Sequence, residues 1–150
     1  MDGKPELTQE TIDFAQRMFE AARTGNSELL LAAVDAGLPV NIMNHQGNSL
    51  LMLAAYAGHV DLTKALLERG GDPNMLNDRG QSTIAGAVFK NHEAIVRVLA
   101  ENNADPRLGT PNAIQSAHMF GRTELMSVLG AREGDIGPEV PSPVPRAEDA

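Results

Sequence analysis

Four histidines are the side chains of this sequence best suited to acid–base chemistry near neutral pH, namely His45, His59, His92 and His118. No two of them stand four residues apart, the spacing that places two zinc ligands on one face of a helix. The sequence contains no cysteine, which excludes disulfides, thiolate metal sites and cysteine nucleophiles. We therefore expect a protein with no metal and no cofactor.

The common enzyme motifs are absent from the sequence. It contains no Gly-x-x-x-x-Gly-Lys-Ser/Thr loop, no Gly-x-Gly-x-x-Gly turn and no Gly-x-Ser-x-Gly elbow. An enzyme or a small-ligand sensor would need ionisable groups that converge in a cleft. The candidates for such a cleft are His45, Asp78 and His118. We keep this class of function as the less favoured alternative.

A repeat of 33 residues organises the chain that must position these groups. Gly47 opens a segment that Gly80 opens again, and the same offset relates His59 to His92. A degenerate copy precedes these two and a shortened copy follows them. We place the four copies at residues 14–46, 47–79, 80–109 and 110–129.

Each copy has the local signals of two short helices and a loop. Ser49 and Ser82 are suited to cap the first helix, and the apolar residues that follow have helical spacing. Gly70 and Asn103 are suited to end the second helix with a left-handed residue. A longer helix from about Thr8 to Arg23 fits a terminal cap, since an end repeat has only one neighbour. The sequence therefore predicts an all-α fold of helix–turn–helix–loop units.

The second copy resembles an ankyrin repeat. The resemblance lies in the period, in Leu53-Ala54-Ala55 before Gly58-His59, and in the ending Gly70-Gly71-Asp72-Pro73-Asn74. It extends from about Phe14 to Leu129 and weakens at both ends. The family's Thr-Pro-Leu-His tetrapeptide is replaced, by Ser49-Leu50-Leu51-Met52 in the second copy and Ser82-Thr83-Ile84-Ala85 in the third. The resemblance implies an ankyrin-repeat α-solenoid with a degenerate cap at each end.

The resemblance also implies roles for particular residues. His59 and His92 would lie at the turn between the two helices and bridge backbone groups, and Asp72 and Asp105 would stabilise turns. The loop tips and the exposed side of each first helix would form a concave face that contacts a partner protein. Carried over by register, that face includes Thr24 and Ala57. It also includes the twelve residues expected to contact the partner, namely Arg23, His45, Gln46, Asn48, Tyr56, Asp78, Arg79, Gln81, Phe89, Lys90, Met119 and Phe120.

Large side chains recur at one position of this predicted face. Tyr56, Phe89 and Met119 occupy equivalent places, so stacking of the repeats would align them, with Phe120 beside the end of the row. Only five residues of the chain are aromatic, and such side chains often anchor interfaces. Packing between adjacent repeats is the alternative explanation of the row.

The charge and the last residues of the chain bear on its partners. The net charge is −8, with 20 acidic against 12 basic residues, which argues against a nucleic-acid partner. Much of the excess acid lies at the two ends. From 130 to 150 the chain is acidic and rich in proline, so we expect a disordered tail. A proline-rich ligand for a partner domain is conceivable there, although a solvated tail is the favoured interpretation.

These observations together predict a function and a compartment. The first ten residues hold no apolar signal region, and no stretch of 18 apolar residues occurs, so we expect a soluble, cytoplasmic protein without a membrane partner. We expect a monomeric, non-catalytic module that binds another protein. An inhibitor or immunity-type regulator of an enzyme would use the same face and is the main alternative.

Overall fold

The computed structural model describes residues 8–138 and residue 140. Eight α-helices lie within these residues: α1 Gln9–Thr24, α2 Ser27–Asp35, α3 Leu50–Ala57, α4 Val60–Glu68, α5 Thr83–Phe89, α6 Glu93–Glu101, α7 Ala113–Met119 and α8 Thr123–Val128. The same residues contain no β-strand beyond two isolated bridges, Met43 to Ser49 and Leu76 to Ser82. The predicted all-α fold of helix–turn–helix–loop units is confirmed.

The helices form two rows. Helices α1, α3, α5 and α7 pack side by side as an inner row, and α2, α4, α6 and α8 form an outer row. Each inner helix also packs against the outer helix that follows it in the chain. Neighbouring helix pairs therefore stack one on the next, as expected for a solenoid.

Polar residues begin the inner helices, as the sequence predicted. The Ser49 hydroxyl accepts a hydrogen bond from the backbone N–H of Met52 at 3.1 Å, and the Ser82 hydroxyl accepts one from Ala85 at 3.2 Å. These bonds satisfy backbone donors that have no partner inside the helix. The predicted left-handed residues Gly70 and Asn103 have φ of 92° and 67°.

Small and aliphatic side chains build the core. One repeat position is occupied by a fully buried aliphatic residue in every copy, namely Met18, Leu51, Ile84 and Ile114. Another is occupied by a buried alanine in every copy, namely Ala21, Ala54, Ala87 and Ala117. Alanine leaves room for close approach of the inner helices, which explains how the chain builds a core with few aromatic residues.

The two ends of the solenoid differ from its middle. Leu29 is 44% exposed although its equivalent Leu62 is buried, because no repeat covers the first one on that side. At the other end, Ala131 and Ile136 pack against the core. Packing on the solenoid thus continues past Leu129, where the repeat pattern of the sequence stops. The rest of the predicted tail, residue 139 and residues 141–150, lies outside the described residues.

Candidate functional site

The inner helices α3, α5 and α7 and the loops before them enclose a groove of about 720 Å³. Ten of the twelve predicted contact residues line this groove, whereas Thr24 and Ala57 of the predicted face do not. They are His45, Gln46, Asn48, Tyr56, Asp78, Arg79, Gln81, Phe89, Met119 and Phe120. Stacking of the repeats therefore brings residues that are distant in the sequence to one surface.

Three aromatic side chains form the walls of the groove. Tyr56, Phe89 and Phe120 are 48%, 52% and 44% exposed. The rings of Phe89 and Phe120 meet edge to face, with centroids 5.4 Å apart and planes at 74°. The contact is diagonal, because Phe120 follows Met119, the true equivalent of Phe89.

Lys90 and Arg23 are the two predicted residues that do not line the groove. Lys90 lies beside it, with its ammonium group 5.1 Å from the centre of the Tyr56 ring, a cation–π geometry. Arg23 is paired with Glu20 on the exposed surface of α1, and its Nε donates to Glu20 Oε2 at 3.0 Å. The predicted face is therefore continuous from repeat two to repeat four, and Arg23 stands apart from it.

Nine further residues, which the sequence did not predict as part of the face, also line the groove. They are Met52, Leu53, Asn77, Ser82, Thr83, Ala85, Gly86, Pro111 and Ser116. Leu53, Gly86 and Ser116 share one repeat position, so the side chain there becomes small in the third and fourth repeats. A Cβ atom on Gly86 would lie 3.3 Å from Cδ2 of Tyr56. The missing side chain thus lets the Tyr56 ring lie close against α5.

Hydrogen bonds between loops hold the rim of the groove. The Asn44 side chain accepts from the backbone N–H groups of Gln46 and Asn48, and Asn77 repeats this pattern in the next loop. Asn77 Nδ2 also donates to Asn48 Oδ1 at 2.9 Å, and the Asp78 N–H donates to the Gln46 carbonyl at 3.1 Å. The loop tips are therefore bonded to themselves and to each other.

Two histidines connect adjacent repeats, as the resemblance implied. Nε2 of His59 lies 2.8 Å from the carbonyl oxygen of Arg23, and Nε2 of His92 lies 3.1 Å from that of Tyr56. Each ring also closes over a glycine of the preceding repeat: a Cβ on Gly25 would be 2.7 Å from the His59 ring. The structural role predicted for these histidines is confirmed.

The recurring aspartates have the predicted structural role as well. Oδ1 of Asp72 accepts from the N–H of Asn74, and Oδ1 of Asp105 accepts from the N–H of Arg107, which closes a tight turn in each loop. Asn74 then links the two turns, since its Oδ1 accepts from the Asp105 N–H at 2.7 Å. These groups order loops and leave the groove to other residues.

An ion pair secures the chain after the last helix. The Arg107 guanidinium donates two hydrogen bonds of 2.8 Å to Asp135. These bonds, with the backbone N–H of Arg132, lower the pKa of the Asp135 carboxyl to about 2. The pair fastens the segment that follows α8 to the loop between the third and fourth repeats.

The described part of the chain has neither a metal cluster nor a membrane-spanning helix. Between residues 8 and 138 no three His, Asp or Glu side chains are grouped so as to hold a metal ion. No helix described by the structure has both the length and the apolar composition needed to cross a membrane.

Stacked helix pairs with projecting loops define this molecule as a helical repeat protein. A family model described as ankyrin repeats (3 copies) matches residues 18–110. The chain belongs to the ankyrin repeat family. Ankyrin repeats are generally protein–protein interaction modules and are typically without enzymatic activity.

Two known proteins illustrate the similarity. PA3287 of Pseudomonas aeruginosa, a curated protein named for its ankyrin repeats, is 51% identical over 53 residues, which are 35% of this chain and 31% of that protein. The crystal structure of the human ASB11 ankyrin repeat domain aligns with a TM-score of 0.70 and 32% identity, over 83% of this chain and 57% of that one. The chain thus spans about a third of the curated relative and little more than half of the solved domain.

Proposed function

We propose that this chain is a non-catalytic module that binds another protein through the groove and its rim. The observation that supports the proposal most is the gathering of ten predicted contact residues along one groove whose aromatic walls are about half exposed. Tyr, Phe, Met and Arg are enriched among the anchors of interfaces. Six residues of these types line the groove: Met52, Tyr56, Arg79, Phe89, Met119 and Phe120.

The rigidity of the rim supports the same function. Asn44 and Asn77 hold their own loop tips, and the bonds from Asn77 to Asn48 and from Asp78 to Gln46 join the two tips. A surface ordered before binding loses little conformational entropy when the partner arrives. The groove therefore suits recognition by a pre-formed surface.

The placement of the ionisable groups favours binding over catalysis. His59 and His92 bond to backbone carbonyls, so two of the four histidines already have a structural role. Of the three candidates for a catalytic cleft, His45 and Asp78 line the groove and His118 does not. The candidates therefore do not converge on one point where a substrate would be held.

A photo-crosslinking amino acid placed at Phe120 tests the proposal in the cells that express the protein. Phe120 is 44% exposed in the groove, and Leu29, equally exposed on the outer helix α2, gives a matched control. We expect a partner protein to cross-link from position 120 and not from position 29. Equal cross-linking from both positions, or none from position 120, would contradict the proposal.

The effect of binding on the partner's activity also distinguishes an inhibitor from an adaptor. An enzyme whose activity falls when it binds this chain identifies an inhibitor or immunity-type regulator. A partner whose own activity is unchanged identifies an adaptor. Both roles use the same face, so the assay of the complex decides between them.

A further inference from the structure

The charge around the groove is opposite in sign to the charge of the whole chain. The chain carries a net charge of −8. Arg79 lines the groove and Lys90 lies beside it. Of the acidic residues that the structure describes, only Asp78 lines the groove. The groove region is therefore locally cationic on an acidic molecule.

Both cations are available to a ligand. The ion pairs among the described residues are those of Arg23, Arg69 and Arg107. No carboxylate of this part of the chain therefore pairs with Arg79 or Lys90, and both of these side chains are exposed. A carboxylate of a bound segment can pair with either cation without first breaking an ion pair within the protein.

The position of Lys90 determines which sign of charge the aromatic row accepts. Its ammonium group lies 5.1 Å from the centre of the Tyr56 ring. A cation over an aromatic face is attracted by the ring, and Lys90 already occupies such a site on Tyr56. A cationic group of a ligand would be repelled there, whereas a carboxylate would be attracted. The row therefore disfavours a basic segment and favours an acidic one.

The end of the row in the fourth repeat is apolar. Phe120 takes the repeat position that Lys90 takes in the third repeat, and its ring meets the ring of Phe89 with centroids 5.4 Å apart. Both rings are about half exposed, and Met119 also lines this end. An apolar side chain that covers these rings removes apolar surface from water. The row thus has a cationic end beside Tyr56 and an apolar end in the fourth repeat.

The stacking of the repeats sets the distance between these two ends. Packed helices lie about 8–10 Å apart, and Lys90 and Phe120 lie at equivalent positions of neighbouring inner helices. An extended chain rises about 3.3 Å per residue. A segment that lies along the row therefore reaches both ends when its acidic and apolar residues are about two to four positions apart.

We propose that the groove recognises an extended acidic segment of the partner protein, in which carboxylates lie about two to four residues from a large apolar side chain. The apolar side chain packs on Phe89 and Phe120, and the carboxylates pair with Lys90 and Arg79. The inference rests on the proposed function, because it names the kind of segment that the groove binds. Charge complementarity of this kind acts mainly on the choice of partner and on the rate of association.

A random peptide library tests the inference without a prior choice of sequence. Peptides of about twelve residues are displayed on phage and selected on the full chain. Peptides that also bind the variant Phe89→Ala with Phe120→Ala are discarded, so that the remainder depends on the aromatic row. We expect Asp and Glu within four positions of an apolar residue to be enriched about threefold over the unselected library, and Lys and Arg to be depleted.

Charge reversal then tests the two cations. The variant Arg79→Glu with Lys90→Glu reverses both charges at the groove. The matched control, Lys64→Glu with Arg97→Glu, makes the same change at exposed positions of the outer helices. The groove variant should select Lys and Arg instead of Asp and Glu, and the control should select acidic peptides as the unchanged chain does. By fluorescence anisotropy, the most enriched acidic peptide should bind the groove variant about tenfold more weakly and the control within about twofold.

Three results would overturn the inference. The first is selection without enrichment of Asp and Glu, and the second is an equal loss of affinity in the two charge-reversed variants. The third is self-association of the chain that Phe120→Ala abolishes in sedimentation experiments, which would place a second copy in the groove. A partner that cross-links from position 120 through a basic or uncharged segment would contradict the inference and leave the proposed function standing.

Discussion

The histidine contacts between repeats can be tested through the glycines that they cover. A Cβ atom on Gly25 would lie 2.7 Å from the His59 ring, closer than van der Waals contact allows. A Cβ atom on Gly80 would meet nothing within 4 Å. The two glycines have similar φ, 83° and 71°, so alanine is strained to a similar degree at both. Gly80→Ala is therefore the control that isolates the contact with His59.

The geometry sets how much each substitution should lower the free energy of unfolding. Alanine in the left-handed region costs about 1–2 kcal/mol, which is the whole effect expected for Gly80→Ala. Gly25→Ala adds the displacement of the His59 ring and the loss of its 2.8 Å bond to the Arg23 carbonyl. A typical hydrogen bond contributes about 0.5–1.5 kcal/mol, so we expect Gly25→Ala to cost about 2–3 kcal/mol.

Urea denaturation followed by circular dichroism measures these differences. The double variant Gly25→Ala with His59→Ala completes a cycle, because removal of the ring also removes the collision. We expect the double variant to be more stable than the sum of its single variants predicts, by about 1 kcal/mol.

Two outcomes would refute this reasoning. Equal costs for Gly25→Ala and Gly80→Ala would show that the His59 ring does not constrain its neighbour. Additive costs in the cycle would show that Gly25 and His59 act separately. Either result would contradict a role for these histidines in holding adjacent repeats in register.

Two further predictions concern stability. Phe89→Ala should lower the free energy of unfolding, measured by urea denaturation, by about 1–2 kcal/mol, because the side chain is 52% exposed. Ile84→Ala in the same helix should lower it by about 2–5 kcal/mol, because Ile84 is 1% exposed. Equal losses would favour packing between repeats over an interface as the explanation of the aromatic row. Asp135→Asn should lower the melting temperature at pH 7. The pKa of Asp135 is lowered to about 2 from an unfolded value of about 3.9, so this difference should shrink below about pH 4 and disappear only as the pH falls below 2. A difference independent of pH would refute the ion pair with Arg107.

Much of the fold could be read from the sequence because its signals are local and repeated. Ser49 and Ser82 predict the starts of helices, and both cap a helix in the structure. Gly70 and Asn103 predict helix ends, and both have the expected left-handed φ. The same 33-residue register located most of the residues that line the groove. Repetition made this possible, since each repeat contacts its neighbour in the same way.

Other features depend on relations that no local pattern contains. The close approach of the Tyr56 ring to α5 follows from the missing side chain at Gly86, which matters only because Tyr56 lies beside it. The order beyond Leu129 depends on Arg107 pairing with Asp135 across 28 positions of the sequence. Such pairings appear only when the stacking of the repeats is known.

The affinity of the cross-linked partner for two matched triple variants tests the central claim most directly. One variant changes Arg79, Phe89 and Lys90 to alanine in the groove region, and the other changes Lys64, Arg97 and Leu29, two cations and one exposed apolar residue of the outer helices. Calorimetry should show the first variant binding about 100-fold more weakly, at about 1 kcal/mol for each residue, and the second within about threefold of the unchanged chain. Unchanged affinity for the groove variant, or a larger loss for the outer variant, would contradict recognition through the groove.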